Sequence, residues 1–83
     1  MSETLLDLRG LRCPWPALRV ARAIREAGEG AVILAVADDP IAPREISAVA
    51  EARGWTVSSA QTDSGPAIRL SFPPKNVTLS LPR

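Results

Sequence analysis

Eighty-three residues, 46% of them apolar and with a formal net charge of only +1, describe one small globular domain rather than a disordered or nucleic-acid-coating chain. A core of this size gives modest stability and little room for an enclosed pocket. One cysteine and no histidine exclude an internal disulfide, a Cys-His nucleophile pair and a histidine-based metal site.

No apolar run approaches the roughly 20 residues that a membrane helix needs, and the N-terminus lacks the basic-then-apolar pattern of a secretory leader. The expectation is a cytoplasmic protein that does not enter a membrane. One cysteine in a reducing compartment also means that thiol exchange must involve a second molecule.

Thr4 to Leu8 is short and apolar around Asp7 and reads as a first strand, ended by Gly10. Cys13 and Trp15 each precede a proline, whose ring clashes with helical geometry one residue back, so both are expected to be extended. A helix then starts at Pro16, where a fixed φ and a missing N–H cost nothing, and runs to about Ala27. Its Ala17, Val20, Ala21, Ile24 and Ala27 share one face, and Arg19, Arg22, Arg25 and Glu26 share the other. That charged face is either simply solvated or a docking stripe for an acidic protein partner or an RNA backbone. Gly28 and Gly30 supply the stop.

Ala31 to Ala37 is a continuous apolar run and reads as a central strand, so that strand, helix and strand make a right-handed parallel crossover. Asp38-Asp39-Pro40 then looks like a helix start in which an aspartate caps free backbone N–H groups, with Pro43 disturbing the first turn. Ala42, Ile46, Val49, Ala50 and Arg53 share a face, and Gly54 closes this second helix. Trp55 to Ala60 alternates as a third strand, Thr62 to Gly65 is a turn, and Ala67 to Phe72 alternates as a fourth strand antiparallel to the third. Beyond Pro73-Pro74, the alternation of Val77, Leu79 and Leu81 could add an edge strand or pair with another chain. The order β-α-β-α-β-β implies an α/β (α+β) two-layer sandwich, a four-stranded mixed sheet with two helices on one face. It forms a single domain over residues 1–83, with a core at about 6–72 and a tail at 73–83.

Cys13 is the candidate for chemistry. It sits just ahead of a helix N-terminus, whose unpaired N–H groups are partly positive, and Arg9 and Arg12 are its neighbours in sequence. Both effects favour thiolate over thiol and make it a candidate nucleophile. The alternative is a small buried hydrophobe, the commoner fate of a lone cysteine. Trp15 is likewise open to two readings, a partner anchor or a ring folded back over Leu11 or Leu18.

The stretch Leu6-Asp7-Leu8-Arg9-Gly10-Leu11-Arg12-Cys13-Pro14-Trp15-Pro16 resembles the opening of the TusA family of small sulfur carriers, also called SirA-like or YedF-like. The family's mark is a Cys-Pro-x-Pro motif after a first strand, and Asp38-Asp39-Pro40 with Glu45-Ile46 resembles its second motif. The likeness runs from about Leu6 to Val57. It implies that Cys13 accepts sulfane sulfur as a persulfide from a cysteine desulfurase or a rhodanese-type donor and passes it to an acceptor protein. Family members serve tRNA thiolation, molybdenum cofactor maturation or sulfur oxidation. Pro14 and Pro16 would shape the loop, and Arg9 and Arg12 would support the sulfur electrostatically. Trp15, Arg19 and Arg22 are the candidate partner contacts. Such a carrier has no self-contained active site and needs no metal and no cofactor beyond the transient persulfide. Two departures stand out: Trp15 fills a slot often held by a smaller aliphatic residue, and Glu45 stands where aspartate is common.

A sulfurtransferase-type carrier, working as a monomer, is therefore the leading expectation. The competing one is a non-catalytic regulatory or protein-interaction module on the same fold. Direct nucleic-acid binding is not expected, because the charge is near neutral and the chain has no Tyr and a single Phe for base stacking.

Overall fold

A computed structural model of the protein describes residues 3–28 and 30–72. The tail that reads as an edge strand lies outside them. The elements are β1 (Glu3–Asp7), α1 (Trp15–Glu26), β2 (Val32–Val36), α2 (Ala42–Ala52), β3 (Thr56–Thr62) and β4 (Gly65–Ser71). They form one four-stranded mixed sheet in the order β1-β2-β4-β3. β1 runs parallel to β2, while β4 is antiparallel to both β2 and β3. The expected α+β two-layer sandwich is thus the observed one, with β2 in its interior.

β2 earns that position by composition. Ile33 and Ala35 point into the main core with Leu8, Val20, Ile24, Ala42, Ile46, Ala50 and Leu70, all buried. Val32 and Val36, of the opposite parity, are buried too. A strand apolar on both faces is stable only between neighbours, since each apolar side chain fully removed from water contributes roughly 1.5–3 kcal/mol. Both helices lie on the Ile33 side: α1 buries Pro16 with Val20 and Ile24 of its expected face, Ala17, Ala21 and Ala27 being half-buried, and α2 buries Ala42, Ile46 and Ala50, with Val49 half-buried and Arg53 exposed instead of sharing that face. Trp55 and Phe72 close the lower edge, their rings stacked 5.2 Å apart.

The helix starts differ from expectation. Trp15 opens α1 instead of standing extended before it: Pro14 is the cap residue, and its carbonyl accepts the first helical hydrogen bond from the Leu18 N–H at 3.1 Å. Proline disfavours helical geometry one residue back without forbidding it, and at this end of a helix the N–H that Pro16 lacks has no intrahelical acceptor to lose. α2 starts at Ala42, later than the acidic pair suggests, with Ile41 at the cap position and no side chain capping it. Pro40 and Pro43 together push the start downstream, so Asp38 and Asp39 are left in the loop. Gly54, with φ of +82°, ends α2 in a conformation costly for any residue with a Cβ.

Candidate functional site

The loop between β1 and α1 is tied to the loop between β2 and α2 by the two aspartates. The Gly10 N–H donates to Asp38 Oδ1 at 3.0 Å, and Gly10 itself turns the chain with φ of +87°. The Cys13 N–H donates to Asp39 Oδ2 at 3.0 Å, while Asp39 Oδ1 accepts from the Ile41 N–H at 3.1 Å. Asp39 is only 8% exposed, and both its oxygens are occupied. One carboxylate thereby holds the cysteine and the approach to α2 at once. The local half of this arrangement, the bond to Ile41 at the approach to α2, is what a helix-start aspartate suggests; the other partner, Cys13, lies 26 residues away.

These bonds hold the Asp39 carboxyl below its ordinary 3.8, the Ile41 N–H contributing most and the Cys13 N–H next. A depressed carboxyl stabilises the fold above its unfolded value, and that stabilisation is lost as pH falls through the lower folded value. Asp39→Ala is accordingly expected to speed hydrogen exchange at the Cys13 and Ile41 amides roughly tenfold or more, with the β2 amides unchanged. Exchange measured residue by residue by NMR checks it, and unchanged rates at both amides would remove Asp39 from this role.

Cys13 is exposed and its thiol is free. Sγ donates a hydrogen bond to Glu45 Oε1 of α2 at 3.3 Å. That bond to Glu45 pushes the thiol above its ordinary range, helped by partial desolvation and by the charges of Glu45 and Asp39. This reverses the expectation that basic neighbours favour the thiolate. Arg9 is engaged elsewhere, its guanidinium clasping Asp7 through two hydrogen bonds of 2.9 and 2.8 Å, while its N–H meets the same carboxylate at 3.1 Å. The clasp lowers Asp7 to about 2. Arg12 acts on Asp39, which its charge helps keep ionised. Arg9 is thus spoken for by Asp7, Arg12 reaches the cysteine loop only through its charge on Asp39, and the side chain that touches Sγ is Glu45, 32 residues away. Its only signal was its place in the second motif.

Pro14 stands at the N-cap position of α1, and Pro16, in the first turn of the helix, is buried. Trp15 is 58% exposed, so more than half of its surface is open to a partner. Leu18, one turn along α1, and Ile41, beside Asp39, are also exposed. Further along α1, Arg19 is exposed, and Arg22 pairs with Glu26 at 3.2 Å. Among the described residues, no group of three His, Cys, Asp or Glu could hold a metal ion, and no helix is long and apolar enough to cross a membrane. A groove of about 290 Å³, lined by Thr4, Ala23, Ala27 and Ile33 among others, lies at the other end of α1 from Cys13.

Fold and site together define a small α+β domain that presents one thiol on an open surface, at the start of a helix. The family model described as Sulfurtransferase TusA matches residues 4–71. Among solved structures, the crystal structure of the SirA-like protein from Desulfitobacterium hafniense superposes with a TM-score of 0.72 at 26% identity, covering 84% of this chain and 97% of that one. The chain belongs to the TusA sulfurtransferase family, whose role is that of a sulfur carrier between donor and acceptor proteins.

Proposed function

We propose that Cys13 is the carrier atom's seat: it accepts sulfane sulfur as a persulfide from a cysteine desulfurase or a rhodanese-type donor and delivers it to an acceptor protein. The observation that carries this is the exposed Sγ of the chain's one cysteine, held at the start of α1 by a backbone bond to buried Asp39. An open thiol suits a carrier, because donor and acceptor can each bring the rest of the reacting site. The reading extends to a monomer working in the cytoplasm without metal or cofactor, within tRNA thiolation, molybdenum cofactor maturation or sulfur oxidation. Its test is the intact mass of the reduced protein after incubation with a cysteine desulfurase and cysteine. A gain of one sulfur that a reductant removes is the expected result; no gain with several desulfurase and rhodanese donors would overturn it.

Trp15 is the partner anchor in this reading, with Arg19 and Arg22 one and two turns further along α1. A half-exposed tryptophan next to the reacting atom has little to do for the monomer and much for a complex. Trp15→Ala is expected to weaken binding of the loading desulfurase roughly tenfold or more in calorimetric titration, with the melting temperature unchanged. Equal affinity would place the anchor elsewhere.

A further inference from the structure

The charge around Sγ decides which sulfur compounds can reach it. Glu45 from α2 touches the sulfur, and Asp39 stands behind it at the Cys13 N–H. Asp38 is bound to the Gly10 N–H on the same loop. Of the nearby cations, Arg9 is held on Asp7, Arg12 acts on Asp39 only as a nearby charge, and Arg44 is exposed on α2. The charged group that touches the thiol is the Glu45 side chain.

From this geometry we infer that Glu45 is a specificity-determining residue: Cys13 exchanges sulfur with compounds and protein sites that bring positive charge to it and turns away anionic small-molecule donors. The inference rests on the carrier reading and concerns its selectivity. In loading, the Cys13 thiol gives its proton to Glu45 Oε1 as Sγ attacks the outer sulfur of a donor persulfide, R–S–SH. The bond from Sγ to that sulfur forms and the donor's S–S bond breaks. The donor leaves as a thiolate that takes up the proton, so R–S–SH and a thiol become R–SH and the Cys13 persulfide with no net oxidation. Negative charge is spread over three sulfurs during the attack, beside a carboxylate. A cation brought by the donor relieves that repulsion, and a donor carrying its own carboxylates, such as glutathione persulfide, adds to it.

The test uses small disulfides of matched chemistry and opposite charge on the intact, reduced protein. Cystamine is cationic, dithiodiglycolate is anionic, and formation of the mixed disulfide is followed by mass. The preference of Cys13 for cystamine over dithiodiglycolate is expected to exceed that of mercaptoethanol by about tenfold at low salt. It should shrink in roughly 1 M salt, where the Debye length is about 3 Å. Glu45→Gln should bring the preference within about twofold of mercaptoethanol, and Glu45→Asp, which keeps the charge, should retain most of it. Thermal melts by circular dichroism establish that both variants are folded. A wild-type preference equal to that of mercaptoethanol, or one that survives Glu45→Gln, overturns the inference. These exchanges involve no persulfide, so a failure to load sulfur with the charge preference intact would overturn the carrier reading by itself.

Discussion

Cys13→Ser is expected to abolish the sulfur gained from a desulfurase and cysteine, with no residual persulfide detectable by intact mass. The loss is total because the chain contains no second thiol to substitute. Stability should hardly change. The side chain is exposed, and a serine hydroxyl can make the same donation to Glu45 that the thiol makes at 3.3 Å. The melting temperature is therefore expected to stay within about 2 °C of wild type, as for most surface changes. Donor binding should persist as well, because Trp15 and the outer face of α1 are untouched. A variant that still gained one sulfur would show that the carrier atom is not Sγ of Cys13. One that lost donor binding would make the thiol itself part of the docking energy.

The opposite pattern is expected of Ile46→Ala. Ile46 is fully buried between the sheet and α1, next in sequence to Glu45. Truncating a buried isoleucine removes transfer energy and leaves a cavity, together about 3 kcal/mol within a usual range of roughly 2–5. A domain of this length is stabilised by only about 4–12 kcal/mol, so the loss is a large share. The melting temperature should fall by roughly 15 °C, measured by calorimetry or circular dichroism. The folded fraction should still accept sulfur, since Asp39 holds the cysteine loop by bonds that do not pass through Ile46. A fall of under about 4 °C would mean that α2 collapses onto the site and that its packing is looser than the burial implies.

Most of the scaffold was legible in the sequence because it is written in short-range patterns. The faces of both helices follow from Val20 and Ile24, and from Ala42, Ile46 and Ala50, each set spaced by three or four residues. The central place of β2 follows from an apolar run too long for a strand wetted on one face. Glycines and prolines marked the ends of elements to within a few residues. What escaped was side-chain pairing, local as well as distant. Arg9 stands two residues from Asp7, a clasp that the nearby cysteine obscures. Asp39 and Glu45 were seen as members of a motif, yet their work is on Cys13, across 26 and 32 residues. No periodicity reports such contacts; they exist only once the loop after β1 is brought against the loop after β2 and the first turn of α2. The same cause reversed the sign of the electrostatics at the thiol.

The strand order carries a consequence for how the molecule assembles. β4 is the last described strand in the chain, yet it is inserted between β2 and β3. Until residues 65–71 have left the ribosome, β2 has β1 as its one partner, and β3 has none in the sheet. The hairpin of β3 and β4 can close locally, but joining it to β2 brings Val32 beside Ser71 and spans α2 on the way. Such loop closure must be met before the contacts it allows can compensate. Insertion of β4 between β2 and β3 is thus the step that completes the sheet beneath the cysteine loop, and it comes after β1, α1, β2 and α2 have been made.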